Sequence, residues 1–238
     1  MWDWLLLFLI LGLNYGPPYV FDRVIAMFAA DDPALPMTGA GLARGLLDAR
    51  GLGSVRIEDL PAELHDLGDY YAVAEHLIRL SPRIAAGRSV AAYAVAAHEV
   101  GHARQQAEGY AWLSRQESFG RFVLALRWLV LGVFAIFAVI GVVSDAALSG
   151  ATINGLAGLL LFSFYGSDIL LRLLALPVEW NASFGHALPD LKASGLLSAR
   201  QLRQARVVLT VAAATYATFA LLGLVSVAVL LRDLTRPI

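Results

Sequence analysis

The stretch Ser89-Val90-Ala91-Ala92-Tyr93-Ala94-Val95-Ala96-Ala97-His98-Glu99-Val100-Gly101-His102-Ala103 decides how this chain is read. Ser89 suits an N-cap, and the residues after it are nearly all small or apolar, so the segment predicts a buried helix. On a helix His98 and His102 lie one turn apart on the same face, where both imidazoles can reach one metal ion. Glu99 sits beside that face, placed to take a proton from a water whose pKa a metal has lowered. Gly101 and Ala103 keep the surface around the imidazoles uncrowded. A polar cluster on an otherwise apolar helix is costly unless something satisfies it, and a metal with its water would do so. The plain alternative is a helix that happens to carry two histidines.

Around this stretch the composition is that of a membrane protein. Of 238 residues, 58% are hydrophobic and 16% charged, and mean hydropathy is +0.66, where a soluble domain has about a quarter of its residues charged. The net charge of -1, with no basic stripe interleaved with aromatics, gives no case for a nucleic-acid partner. With no cysteine there is no disulfide, thiolate ligand or cysteine nucleophile, so any metal must be held by His and carboxylate.

Apolar runs predict a mainly α membrane protein with about four transmembrane helices. Residues 207–231 form the most secure span and 122–143 the next, with Arg127 snorkelling to the headgroups. A third run, 153–176, contains Asp168 and Arg172 at i,i+4 spacing, read as a mutual ion pair inside the bundle. The first run, from Trp2 to about Val20, has Asp3 where a signal peptide carries a basic residue, so it is read as an uncleaved anchor. Pro17 and Pro18 are expected to kink or end it.

The expected order is a first span at 1–21, a catalytic region at 22–121, second and third spans within 122–176, a ligand-bearing helix at 177–206, a fourth span at 207–231 and a tail at 232–238. With four crossings, 22–121 and 177–206 share one side. Lys192, Arg200, Arg203 and Arg206, with Arg115 and Arg121, place that side in the cytoplasm; Arg232 and Arg236 count against it.

Within the polar stretches, Thr38 can cap a helix running to Arg50, and its glycines mark a helix start, not a nucleotide loop. Ser54 to Glu58 reads as a short strand, and Tyr70 to Ser81 as two strands or one bent strand. The segment His76 to Ser81 is expected to be a sheet edge, along which extended peptide could pair as in zinc peptidases of the zincin type, or else an ordinary edge. A hydrolytic zinc site needs a third protein ligand. The candidates are His65, His76, His186 and Glu179. Glu179 is favoured, because Pro177 can open a new helix there and the segment lies on the motif's side of the membrane. The other reading is a carboxylate favoured only by a helix macrodipole.

Taken together, Leu42-Ala43-Arg44 to Gly51, Ile78-Arg79-Leu80-Ser81, Ala94 to Ala103, Ala107-Glu108-Gly109-Tyr110 and Leu176-Pro177-Val178-Glu179-Trp180-Asn181-Ala182-Ser183 resemble the YugP-like neutral zinc metallopeptidases. These are bacterial membrane proteins related in plan to the HtpX-type gluzincins. The resemblance covers nearly the whole chain. It implies a small α+β zincin-like catalytic region, zinc held by His98, His102 and Glu179, and Glu99 as catalytic base. Three positions depart from the pattern. Ser183 stands where many gluzincins have an Asp that orients a ligating His. Phe184-Gly185-His186 replaces a basic residue just after it, and Asp69-Tyr70-Tyr71 replaces Asp-His-Tyr.

The expected function is a membrane-embedded zinc metalloendopeptidase of the bacterial inner membrane, acting on peptide or protein substrates that include membrane proteins. The alternative is a non-catalytic zinc-bound membrane scaffold, which would not need Glu99. A transporter built on Asp168 and Arg172 lacks the internal repeats such proteins carry. Tyr70, Tyr71, His76 and His186 are unranked candidates for stabilising the oxyanion, and the oligomeric state is left open.

Overall fold

The computed structural model describes residues 2–63, 68–144, 155, 158, 160 and 162–234. Helix α1, Trp2–Met27, continues past Pro17 and Pro18. The expected stop is absent because α1 packs along the last helix of the chain, and neighbouring helices let apolar helices tolerate the donors that proline removes. Helix α2, Gly39–Ala49, starts where expected, with the Thr38 hydroxyl accepting from the Gly41 N–H at 3.2 Å. Gly51, at φ +71°, supplies the left-handed residue that turns the chain away.

Three short strands follow, β1 (Arg56–Asp59), β2 (Tyr70–Ala72) and β3 (Leu77–Leu80), in the order β1-β3-β2. β1 runs parallel to β3, with Arg56 opposite Leu77, and β2 antiparallel, with Tyr71 opposite Ile78. The segment expected at the edge is therefore the middle strand. Leu77, Ile78 and Leu80 are completely buried, as a strand covered on both faces requires. His76 lies outside it, at φ +49° in the turn from β2 to β3. The outer strands are β1 and β2, and of the two it is β2 that lies nearer in sequence to β3.

After α3 (Pro82–Ala86) comes α4, Val90–Ala107, whose first turn is closed by the Ser89 hydroxyl accepting from the Ala92 N–H at 3.1 Å. All residues from Val90 to Gly101 are buried. It is the core helix, packed against α2, α3, the last helix and a π-helical segment at Asn181–Ala187. Leu42, Leu47, Ile78, Tyr93, Val100 and Leu209 join the same core.

Helix α5 is continuous from Ala111 to Ser144, and the final helix, α8, from Ala199 to Leu234. Between them a π-helical turn, Phe162–Gly166, leads into α6 (Ser167–Trp180), the π-helical segment Asn181–Ala187 and α7 (Leu188–Ala193). Pro177 thus lies inside α6 and does not open a helix; its fixed φ suits helical backbone, and the apolar run before it carries the helix through.

Two stretches among the described residues are long and apolar enough to cross a membrane, Ala111–Ile140 and Ala199–Val225. Four were expected. The first run is helical, but most of its side chains lie outside the described set, as does much of 153–161. Large apolar side chains such as Phe122, Trp128 and Leu221 point outward from α5 and α8.

Arg127 does not snorkel. Its guanidinium donates to the carbonyls of Ser163 (3.2 Å) and Phe164 (3.0 Å) and to the Asp168 carboxylate (2.7 Å). Widened π-helical backbone leaves carbonyls poorly served from within, and a long cationic side chain on α5 serves them. Asp168 also faces Arg172, at 3.7 Å, so the expected pair exists as the weaker half of a triad.

Candidate metal centre

Helix α4 brings His98 and His102 to one face, and α6 brings Glu179 against them. The close approach depends on Gly101: a Cβ built there would sit 2.6 Å from the Ala182 carbonyl oxygen, so only glycine lets backbone meet backbone. His98 Nε2 lies 3.1 Å from His102 Nε2 and 3.1 Å from Glu179 Oε2, and His102 Nε2 lies 3.7 Å from the same oxygen. Three ligands at ordinary zinc distances around a tetrahedral ion are about 3.3 Å apart. The triangle has that size, its donors are two imidazoles and a carboxylate, and all three residues are largely buried. The site fits zinc.

The far nitrogen of each ring is also held. His102 Nδ1 is 3.0 Å from Gln105 Oε1. The Gln105 amide nitrogen donates to the Val178 carbonyl (2.7 Å) and Asn181 Oδ1 (2.9 Å), which fixes its oxygen as the acceptor toward the ring. Nδ1 of His102 therefore carries a proton, which leaves Nε2, on the side of Glu179 and His98, as the nitrogen that can give its lone pair to a metal. His98 Nδ1 meets the Ser183 hydroxyl at 3.1 Å. Ser183 thus reaches the histidine that an Asp at this position would orient.

Electrostatics follow from crowding. Burial resists charge on His102, but the Glu179 carboxylate, with Glu99 and Gln105, outweighs it and raises the imidazole to about 9. Burial likewise resists charge on Glu179, yet His102 and His98 hold its carboxyl well below the usual range. Glu99 goes the other way: burial pushes it up, the imidazoles oppose this, and Asp69 and Glu179 add to it. Without metal the cluster attracts a proton to the place where a cation belongs.

These groups border a cavity of about 790 Å³. Glu99, His98, His102 and Glu179 line it together with Asp69, Tyr70 and Tyr71 of the β2 side, and Phe21 and Ile25 of α1, Leu113 of α5 and Val208, Leu209 and Ala212 of α8 make it partly apolar. Tyr216, also of α8, lines the cavity beside the carboxylates of Glu179 and Glu99.

Of the other expected candidates, His76 is in the strand turn, 3.4 Å from the Tyr71 hydroxyl. His186 lies 3.6 Å from Glu108, beside the Arg104–Asp190 ion pair, and does not border the cavity. His65 lies outside the described residues. Gln105 and Tyr216 were missed. Gln105 follows His102 by three residues, which was a readable signal; Tyr216 interrupts an apolar run and was passed over as part of a span.

A family model described as "Putative neutral zinc metallopeptidase" matches residues 3–235. The chain is 32% identical over 222 residues to "Putative membrane protease YugP" of Bacillus subtilis (strain 168), covering 90% of this chain and 88% of the relative. No solved structure matches. The chain belongs to this family of zinc metallopeptidases.

Proposed function

We propose, with that family membership as premise, that the protein is a membrane-embedded zinc metalloendopeptidase of gluzincin type, in which His98, His102 and Glu179 hold the ion and Glu99 is the general base. The observation that carries this reading is the convergence of the three ligand atoms in an open cavity with a buried carboxylate beside them. Bound zinc supplies Lewis acidity there, polarising a carbonyl and lowering the pKa of water. Glu99 takes the proton that water loses as its oxygen bonds to the carbonyl carbon, and gives it to the leaving amine when the C–N bond breaks. Burial, which makes Glu99 hold a proton more readily than an exposed carboxylate, suits it to both transfers. Ser183 and Gln105 keep the imidazoles aimed.

The outer edge of β2 borders the cavity and offers main-chain pairing to an extended segment of polypeptide. The apolar walls from α1, α5 and α8 suit substrates that lie at the bilayer, membrane proteins among them. In this reading residues 22–121 and 177–206 form the catalytic part on the cytoplasmic side of a bacterial inner membrane. Residues 1–21, 122–176 and 207–231 anchor it as a multi-pass protein, and 232–238 form a tail. A non-catalytic zinc scaffold would have no use for a buried Glu99 that borders the cavity without belonging to the ligand triangle.

Glu99→Gln tests the proposal. Zinc content should stay at the wild-type level while hydrolysis of a casein-derived fluorogenic peptide falls by about 10²–10⁴-fold. Equal hydrolysis at equal zinc content would overturn it.

A further inference from the structure

Acyl transfer needs a donor for the negative charge that develops on the carbonyl oxygen. Among the residues expected for this task, the Tyr71 hydroxyl is taken by Gln106 Oε1, His76 and His186 lie away from the triangle, and Tyr70 borders the cavity from the strand side. Tyr216 is placed differently. It stands in the middle of the apolar helix α8, where a hydroxyl is expensive unless it has a partner, and its side chain borders the cavity. It shares that cavity with Glu179 and Glu99, the carboxylates of the ligand triangle and of the general base as proposed above. A hydroxyl in the cavity wall can reach an acceptor that enters beside the ligand triangle. Catalytic hydrogen bonds are often long before substrate arrives.

We propose that Tyr216 is a catalytic residue whose hydroxyl stabilises the oxyanion of peptide hydrolysis, delivered to the site by the membrane-spanning helix. The proposal rests on the peptidase reading. As the water oxygen bonds to the carbonyl carbon, the π pair moves onto the carbonyl oxygen, and the Tyr216 O–H donates a hydrogen bond to it without transferring its proton. The proton from water is on Glu99. On collapse the pair returns, the C–N bond breaks and the amine takes the Glu99 proton.

The test uses full-length Tyr216→Phe in detergent, loaded with zinc. Phe keeps the ring, and zinc content and melting temperature verify the fold. A fluorogenic peptide should show kcat lower by about 10²–10³-fold with KM little changed. Calorimetry with a phosphinic peptide, whose tetrahedral oxygen mimics the oxyanion, should show affinity falling in step with kcat, while zinc affinity measured against a chelator stays at the wild-type value. A kcat within about threefold of wild type would overturn the proposal. So would zinc affinity that falls in step with kcat, which would make Tyr216 a positioning residue for Glu179. Wild-type protein without zinc-dependent hydrolysis would sink the peptidase reading and this inference together; an active Tyr216→Phe would sink only this one.

Discussion

Two polar clusters in this molecule, one partly exposed and one buried, are each built around a π-helical segment, and they end in opposite states. At Phe162–Gly166 the loosened carbonyls, Asp168 and the Ser167 hydroxyl are all served by Arg127, whose guanidinium also lies over the Phe164 ring at 5.0 Å. Arg172 adds a second cation, lying over Phe219 at 4.6 Å. Every charge there is answered from within the protein. At Asn181–Ala187 the same kind of backbone turns Ser183 toward His98 and follows directly on Glu179, but the cluster contains imidazoles and the carboxylates of Glu179 and Glu99, and among the described residues no guanidinium bonds to either carboxylate. The first cluster is closed. The second asks for a cation. Polar residues in an apolar sequence therefore do not announce a site by themselves; the sign of the unanswered charge does.

The comparison can be broken most decisively at Glu179. Glu179→Gln removes the charge that defines the open cluster, and zinc affinity in a chelator competition should fall by more than about a hundredfold. Undiminished affinity would strike this carboxylate from the ligand set. Gln105→Leu is a milder probe, since it frees the His102 tautomer but keeps all three donors, and a loss of about 10–100-fold is expected. The closed cluster should respond in stability and not in metal. Arg127→Met takes the guanidinium donors from the Ser163 and Phe164 carbonyls and leaves Asp168 with only the longer Arg172 contact, which should cost about 1–2 kcal/mol in denaturant unfolding and leave zinc affinity unaltered; adding Asp168→Leu should recover part of the loss. A drop in zinc affinity in Arg127→Met would show that the two clusters are coupled.

The helix that carries the imidazoles was legible because its signals are local: a serine cap, an unbroken apolar run and two histidines one turn apart. Glu179 is favoured on an expected span layout and on Pro177 opening a helix; Pro177 lies inside α6, yet Glu179 does meet the two imidazoles. The central position of β3 could not, since Leu77, Ile78 and Leu80 look the same in a middle strand as in a one-faced edge, and pairing partners lie in other segments. Arg127 was misread for a similar reason. Snorkelling is what an isolated helix would do, and the carbonyls that capture it belong to a stretch some forty residues away. Pro17 and Pro18 do not end α1 and Pro177 does not open a helix; a propensity scale does not contain the neighbouring helix or the apolar run that carries the backbone through.

The seam at Gly101 and Ala182 has a bearing on biosynthesis. It joins segments that leave the ribosome far apart in time, with the long helix Ala111–Ser144 made between them. A nascent chain that has only the first two ligands grips zinc weakly. The enzyme as proposed would stay inert throughout its own insertion and become destructive only once its last third has docked.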